Sequence, residues 1–210
     1  MIESMVWELK GLEKRGFFSE TEIKDVLSTR ESQEYSLAKN SCSKLDFFKA
    51  IEYEMRLETL RKERFIDLQM KRIKESDYHI IKRIIMLFDR TTNKFRYYKD
   101  AWKQYLRFCV QIKSKKNFWK VLSRCLKFNS EYLDFWLIGI YYEFDMNKNP
   151  FKGRQVFHKA LKMNGKNLDF WIEYLRFEAK FVKLVEQRQN FLLDKDGKKS
   201  DKEDFNKDDF

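Results

Sequence analysis

Few side chains in this sequence are equipped for bond-making chemistry, and those few are scattered. His79 and His158 stand alone, without the paired spacing that lets neighbouring imidazoles share a metal. Cys42, Cys109 and Cys125 are odd in number and form no C-x-x-C. Neither a disulfide framework nor a zinc knuckle is therefore expected, and a reducing compartment is. Cys109 and Cys125 have no base near them in sequence and read as buried thiols. There is no Gly-x-Ser-x-Gly and no Walker-type loop, and the acids are spread along helical faces. These residues predict no catalytic centre, no metal, no cofactor and no small-molecule substrate.

Binding chemistry is better supplied. Lys and Arg number 44 against 33 Asp and Glu, a net charge of +11, which favours a polyanionic partner such as nucleic acid. Between Ala101 and Ser130 lie Lys103, Arg107, Lys113, Lys115, Lys116, Lys120, Arg124 and Lys127 with no acid among them. A second acid-free stretch, from Met146 to Leu168, adds six more cations, Lys148, Lys152 and Arg154 included. Stacked side by side, Lys113, Lys115, Lys116, Lys120, Lys127, Lys148, Lys152 and Arg154 would make a ridge that neutralises phosphates whatever the base sequence. The alternative is that long lysines merely solvate helices. The aromatics Trp102, Tyr105, Phe108, Trp136, Tyr142, Trp171, Tyr174 and Phe177 could stack on bases, but their helical spacing makes them core.

The elements that must position these residues are helices. Six glycines and one proline leave little material for hairpin turns, and no apolar run approaches the roughly 18 residues of a membrane span. The expectation is a chain neither secreted nor membrane-embedded. Three segments align without a gap: DAWKQYLRF from Asp100, DFWLIGIYY from Asp134 and DFWIEYLRF from Asp169. Their tryptophans stand 34 and 35 residues apart, and 14 residues before each lies a matching block that starts at Phe88, Leu122 or Phe157. Each block carries a cation (Arg90, Arg124, Lys159) and then a small residue where helices can approach closely. The cations are expected to pair with Glu143 and Glu178. Apolar residues recur at three and four in both blocks, so each unit predicts an antiparallel helix pair, with the Asp before Trp capping its first helix. A 34-residue pair cannot bury its own aromatic face, so pairs stack into an α-solenoid.

An imperfect copy starts at Leu45, with Phe47 in the tryptophan place and Tyr53 and Glu54 following. Its spacing of 55 to Trp102 predicts an insertion, read as a helix prolonged to Ser76 and a second helix from about Asp77 to Thr91. Upstream, Ile2 to Lys14 predicts a short helix, Gly16 a break, and Ser19 with Glu22 a capping box for a helix to about Lys39. Residues 1–40 carry Phe17, Phe18, Ile23, Val26 and Leu27 outside any repeat, which predicts a segment docking on another subunit, the alternative being that it packs on its own first repeat. The sequence thus divides into that segment, a repeat region at 41–193 and a charged tail at 194–210, where seven acids and five lysines predict disorder.

Trp-x-x-Tyr-x-x-Phe-Glu at Trp171–Glu178, echoed by Glu143 and Glu54, lacks the Leu-Gly that the tetratricopeptide pattern wants after its tryptophan. It resembles the half-a-tetratricopeptide (HAT) repeat of RNA-processing complexes. With LEKRGFFSETEIKDVLSTRESQEY, KLDFFKAIEYEMRLETLRKER and the segment from Ser76 to Arg90, residues 8–190 resemble the U-three-associated protein six family, the HAT-repeat subunit of the nucleolar small-subunit processome. The resemblance implies a non-catalytic scaffold of the B tower subcomplex, in the nucleolus. Its partners would be other processome subunits, U-three small nucleolar RNA and precursor ribosomal RNA. Repeat-motif residues would be Phe47, Tyr53, Phe88, Arg90, Trp102, Tyr105, Arg124, Trp136, Glu143, Phe157, Trp171, Tyr174 and Glu178. The family continues with further HAT repeats that this sequence does not contain. Two rivals stay open: a tetratricopeptide-type peptide adaptor, and a HAT protein of messenger RNA processing.

Overall fold

In the computed structural model the described backbone runs over 2–204, with side chains over 6–190. Among these residues the chain is all-α, without a strand: α1 Ile2–Glu13, α2 Glu20–Ala38, α3 Lys44–Asp67, α4 His79–Lys94, α5 Lys99–Gln111, α6 Lys115–Phe128, α7 Leu133–Tyr141, α8 Pro150–Asn164 and α9 Leu168–Asp204. A 3-10 turn, Glu75–Tyr78, precedes α4, and a π turn, Tyr142–Met146, follows α7. The chain forms two compact units, Met1–Val121 and Leu122–Phe210, divided inside α6.

Each unit is built of helices that pair antiparallel with their sequence neighbours. In the first, Glu22 and Arg30 of α2 meet Arg64 and Glu54 of α3, while Phe47 and Glu54 of α3 meet Phe95, just past α4, and Arg83. In the second, Phe151, Arg154 and Phe157 of α8 face Phe181, Glu178 and Tyr174 of α9. The small residue of each second helix, Thr91, Cys125 or Ala160, is fully buried, as close approach requires.

The Ser19–Glu22 capping box forms in both directions, and Ser43 with Asp46 makes a second one at α3. The prolonged α3 does not form. It ends at Asp67, where Gln69 takes φ 48° and Met70 N–H donates to the Phe65 carbonyl (3.2 Å), closing a Schellman turn. Residues 70–77 are then pinned from outside: Arg15 bonds the Arg72 carbonyl (2.8 Å), the Met70 sulfur and the Asp77 carboxylate. Lys113 and Lys148 also sit at φ 52°, so this glycine-poor chain turns its corners with residues that accept a left-handed penalty of about 1–2 kcal/mol. Asp100, Asp134 and Asp169 lie in the first turns of their helices rather than at the cap, which Tyr98 and Tyr132 occupy in α5 and α7. There they still oppose the positive end of the dipole. Helix α9 extends to Asp204; the rest of the expected disordered tail, 205–210, lies outside the described residues.

Candidate functional site

The expected docking residues of the N-terminal segment turn inward. Phe17, Phe18, Ile23 and Val26 are buried and Leu27 is half-buried. The reason is long-range: α3 supplies their cover. Phe17 stacks on Phe65 (6.3 Å) between the guanidinium groups of Arg15 (5.1 Å) and Arg61 (5.7 Å), and Arg64 lies over Phe18 (5.2 Å). Arg64 also bonds the Phe17 carbonyl (2.6 Å) and both oxygens of Glu22. That pair, with the Ser19 N–H, pulls the Glu22 carboxyl down to about 2. This face is therefore part of the first unit's core and offers no partner surface.

Deeper in the same unit an alternating chain of charges joins three helices. Arg30 of α2 forks onto Glu54 of α3 (2.8 and 2.7 Å); Arg83 of α4 bonds Glu54 (2.8 Å) and Glu34 of α2 (3.0 Å); Arg90 of α4 completes it on Glu34 (2.8 and 3.0 Å). Arg30, Glu54 and Arg83 are at most 5% exposed. Buried charges persist only when the geometry is good and the remaining hydrogen-bond capacity is met, and here each carboxylate faces two guanidiniums. Sequence reasoning paired Arg90 with the repeat glutamates; it pairs with Glu34 instead, because α2 supplies a nearer carboxylate.

The repeat residues recur in matching geometry. Each tryptophan donates its indole N–H to the carbonyl six residues upstream: Trp102 to Arg96 (2.7 Å), Trp136 to Ser130 (2.8 Å) and Trp171 to Gly165 (2.9 Å). Phe88 stacks on Tyr105 (4.9 Å) as Phe157 packs on Tyr174 (5.5 Å), while Tyr53 is half-buried on α3. Glu178 receives a forked bond from Arg154 (2.7 Å on one arm), 24 residues earlier, as Glu54 does from Arg30. Sequence reasoning assigned Glu178 to the cation inside the repeat block; that residue, Lys159, is exposed. A Glu preceded by Arg at a spacing of 24, with a Trp or Phe seven residues before the Glu, was the signal available. Glu143 is buried and Arg124 half-buried. Trp171 departs from the core expectation. Trp102 and Trp136 are at most 4% exposed, but Trp171 is 45% exposed because no described helix crosses that face of α9.

The expected phosphate-binding residues divide. Lys113, Lys115, Lys116 and Lys120 lie on the α5–α6 corner and the first half of α6 in the first unit; Lys127, Lys148 and Lys152 lie in the second; all seven are exposed. Arg154 drops out, since Glu178 engages its guanidinium, which also covers the Phe181 ring (4.5 Å). Helix α6 has no acid and starts on two lysines, Lys115 and Lys116, against the sign its N-terminal dipole favours. His79 lies 3.6 Å from Glu8 and His158 packs on Tyr174; among the described residues no cluster of three or more His, Cys, Asp or Glu could hold a metal. Burial pushes the Cys109 and Cys125 thiols up to about 12, the behaviour of inert core cysteines.

The model of the family described as U3 small nucleolar RNA-associated protein 6 matches residues 2–83. The protein of that name from Schizosaccharomyces pombe is 29% identical over 192 residues, 91% of this chain. The chain is thus similar, over most of its length, to proteins named U3 small nucleolar RNA-associated protein 6. The homologues of Mus musculus and Homo sapiens are 28% and 27% identical, each over 90% of the chain. The chain spans about a third of the length of these curated relatives, 39% of the fission yeast protein and 32% of each mammalian one. The family match covers the capping boxes, the inward-turned phenylalanines and the Arg30–Glu54–Arg83 connection, and so reaches well beyond the tryptophan repeat.

Proposed function

We propose that this chain is a non-catalytic scaffold of the small-subunit processome, in the U-three snoRNP and its B tower subcomplex, acting in the nucleolus in the maturation of small-subunit ribosomal RNA. The observation that carries this reading is the alignment of about nine-tenths of the chain with relatives that share one name, U3 small nucleolar RNA-associated protein 6. The physical character of the chain supports it. The described residues form antiparallel helix pairs, and no helix among them is long and apolar enough to cross a membrane. The surroundings of the chain would be other processome subunits together with U-three RNA or precursor ribosomal RNA.

Where RNA touches the chain directly, Lys113, Lys115, Lys116, Lys120, Lys127, Lys148 and Lys152 are the contacts. Lys115 and Lys116 open α6, so a phosphate bound beside them would also meet the positive end of the helix dipole. The test is purification of the tagged chain from the cells that make it, with sequencing of the bound RNA and mass spectrometry of the bound proteins. Enrichment of U-three RNA and processome subunits is expected. Recovery of chaperones, or of splicing and 3′-end factors, in their place would overturn the proposal in favour of a peptide adaptor or a messenger RNA factor.

A further inference from the structure

Two connections of the first unit meet at one end of its helices, and both are basic. From the end of α2 to the start of α3 run Lys39 and Lys44; from the end of α4 to the start of α5 run Lys94, Arg96 and Lys99; neither stretch contains an acid. Ring contacts tie the two together. Lys44 Nζ lies 4.3 Å from the Tyr98 ring, Tyr98 packs on Phe48 (6.0 Å), and Lys94 sits over Phe47 (5.9 Å) and Phe95 (5.8 Å). The acids beside this end are engaged: Asp46 accepts from the Ser43 N–H (2.8 Å) and hydroxyl (2.9 Å), and Asp100 lies against the Tyr98 hydroxyl. Positive charge is left in excess. Between Arg96 and Tyr98 stands Tyr97, 76% exposed.

The repeat does not ask for these side chains. Each bend before a tryptophan helix needs a backbone carbonyl for the indole N–H, supplied by Arg96, Ser130 or Gly165. The residue that follows is Tyr97 in one bend, Glu131 in the next and Lys166 in the third, and all three are exposed. The bend forms with any of them, so an aromatic ring is not what holds it together. The bend that carries Tyr97 is also firm. Trp102 holds the Arg96 carbonyl (2.7 Å), the Tyr98 N–H donates to the Phe95 carbonyl (3.0 Å) and Arg96 Nε donates to the Asn93 carbonyl (3.2 Å). A ring presented on fixed backbone costs little further ordering when a ligand arrives.

We propose that this end of the first unit binds single-stranded RNA, with a base stacked on the Tyr97 ring and the flanking phosphates met by Lys44, Lys94 and Arg96. Every base offers a π-face to an exposed ring, and cations beside the ring track the backbone. An acidic peptide would use the cations and leave the ring without a partner. A duplex keeps its bases stacked on one another and offers the ring none. The site is separate from the lysines at 113, 115, 116 and 120, which begin at the other end of α5. It rests on the processome reading only in taking RNA as the polyanion.

The test is fluorescence anisotropy of a short labelled oligouridylate with the whole chain. Tyr97→Ala is expected to weaken binding about tenfold with an unchanged salt dependence, and Tyr97→Phe to bind like the unaltered chain. Lys94→Gln combined with Arg96→Gln is expected to weaken binding and to flatten the slope of log affinity against log salt by about 1.4, about 0.7 for each cation. Circular dichroism should be unchanged in all of these, since Lys94, Arg96 and Tyr97 are exposed. No binding by the unaltered chain, equal binding by Tyr97→Ala, or equal or tighter binding of a duplex or an oligoglutamate of the same charge would each overturn the proposal. So would a loss confined to replacement of Lys113, Lys115, Lys116 and Lys120. A chain that binds the oligomer as expected but recovers no U-three RNA from cells would keep this site and lose the processome reading.

Discussion

Two ion pairs built to one specification behave differently in the two units. Arg30–Glu54 and Arg154–Glu178 share a spacing of 24, the same forked geometry and the same place in the repeat, with Glu seven residues after Phe47 or Trp171. The first has side chains at most 2% exposed and a second arginine, Arg83, on the same carboxylate; the second is 25–32% exposed, and the further partner of Glu178 is the neutral Tyr174 hydroxyl. The repeat therefore fixes the pair's register, and the neighbouring helix decides what the pair is worth. Where α4 closes over Glu54, removing a partner strands a buried charge. Beside Glu178, water takes the missing partner's place.

The sharpest way to break that comparison is Glu54→Ala, expected to destabilise the first unit by about 3–5 kcal/mol in urea unfolding, since it leaves Arg30 and Arg83 facing each other. A loss below about 1 kcal/mol would mean that burial does not separate the two pairs. Trp102→Ala is expected to lose about 3–5 kcal/mol, whereas Trp171→Ala, half-exposed, should lose about 1–2 kcal/mol, mostly its hydrogen bond and part of its area. Glu178→Ala is expected at about 0.2–1 kcal/mol in the same measurement. The smallest effect is one of pH. Glu22 is held down to about 2 by Arg64 and Ser19, so its contribution is complete above the ordinary glutamate range and fades as pH falls toward about 2. A Glu22→Gln chain should lack that part of the acid slope in a circular dichroism titration, and an identical slope in both chains would remove Glu22 from the account.

Much of this architecture was legible because its causes are local. Ser19 and Glu22 announce a helix start three residues apart, and the tryptophan spacing announces antiparallel pairs. The misreadings share a non-local cause. Nothing in the neighbourhood of Phe17 tells that Arg61, Arg64 and Phe65 will cover it, so an apolar segment without a sequence partner looked like a docking helix. The end of α3 was hidden because Gln69, not glycine, takes the left-handed place, and because Arg15 secures the following segment from more than 50 residues away. Arg154 resembled a phosphate ligand in an acid-free stretch, while its carboxylate waited on the next helix.

The tryptophan hydrogen bonds explain why this position carries an indole and not merely a large ring. The carbonyls of Arg96, Ser130 and Gly165 lie in the bends just before α5, α7 and α9, so each indole N–H fastens the bend to the helix that leaves it. The N-cap side chains of α5 and α7, Tyr98 and Tyr132, make no capping hydrogen bond to the helix backbone. In the first copy the ring is Phe47, which has no N–H to give, and there Ser43 and Asp46 lock the bend by reciprocal capping. Exchanging tryptophan for phenylalanine would thus keep the hydrophobic fill and surrender the fastening, leaving a chain whose helices still pair but whose elbows swing.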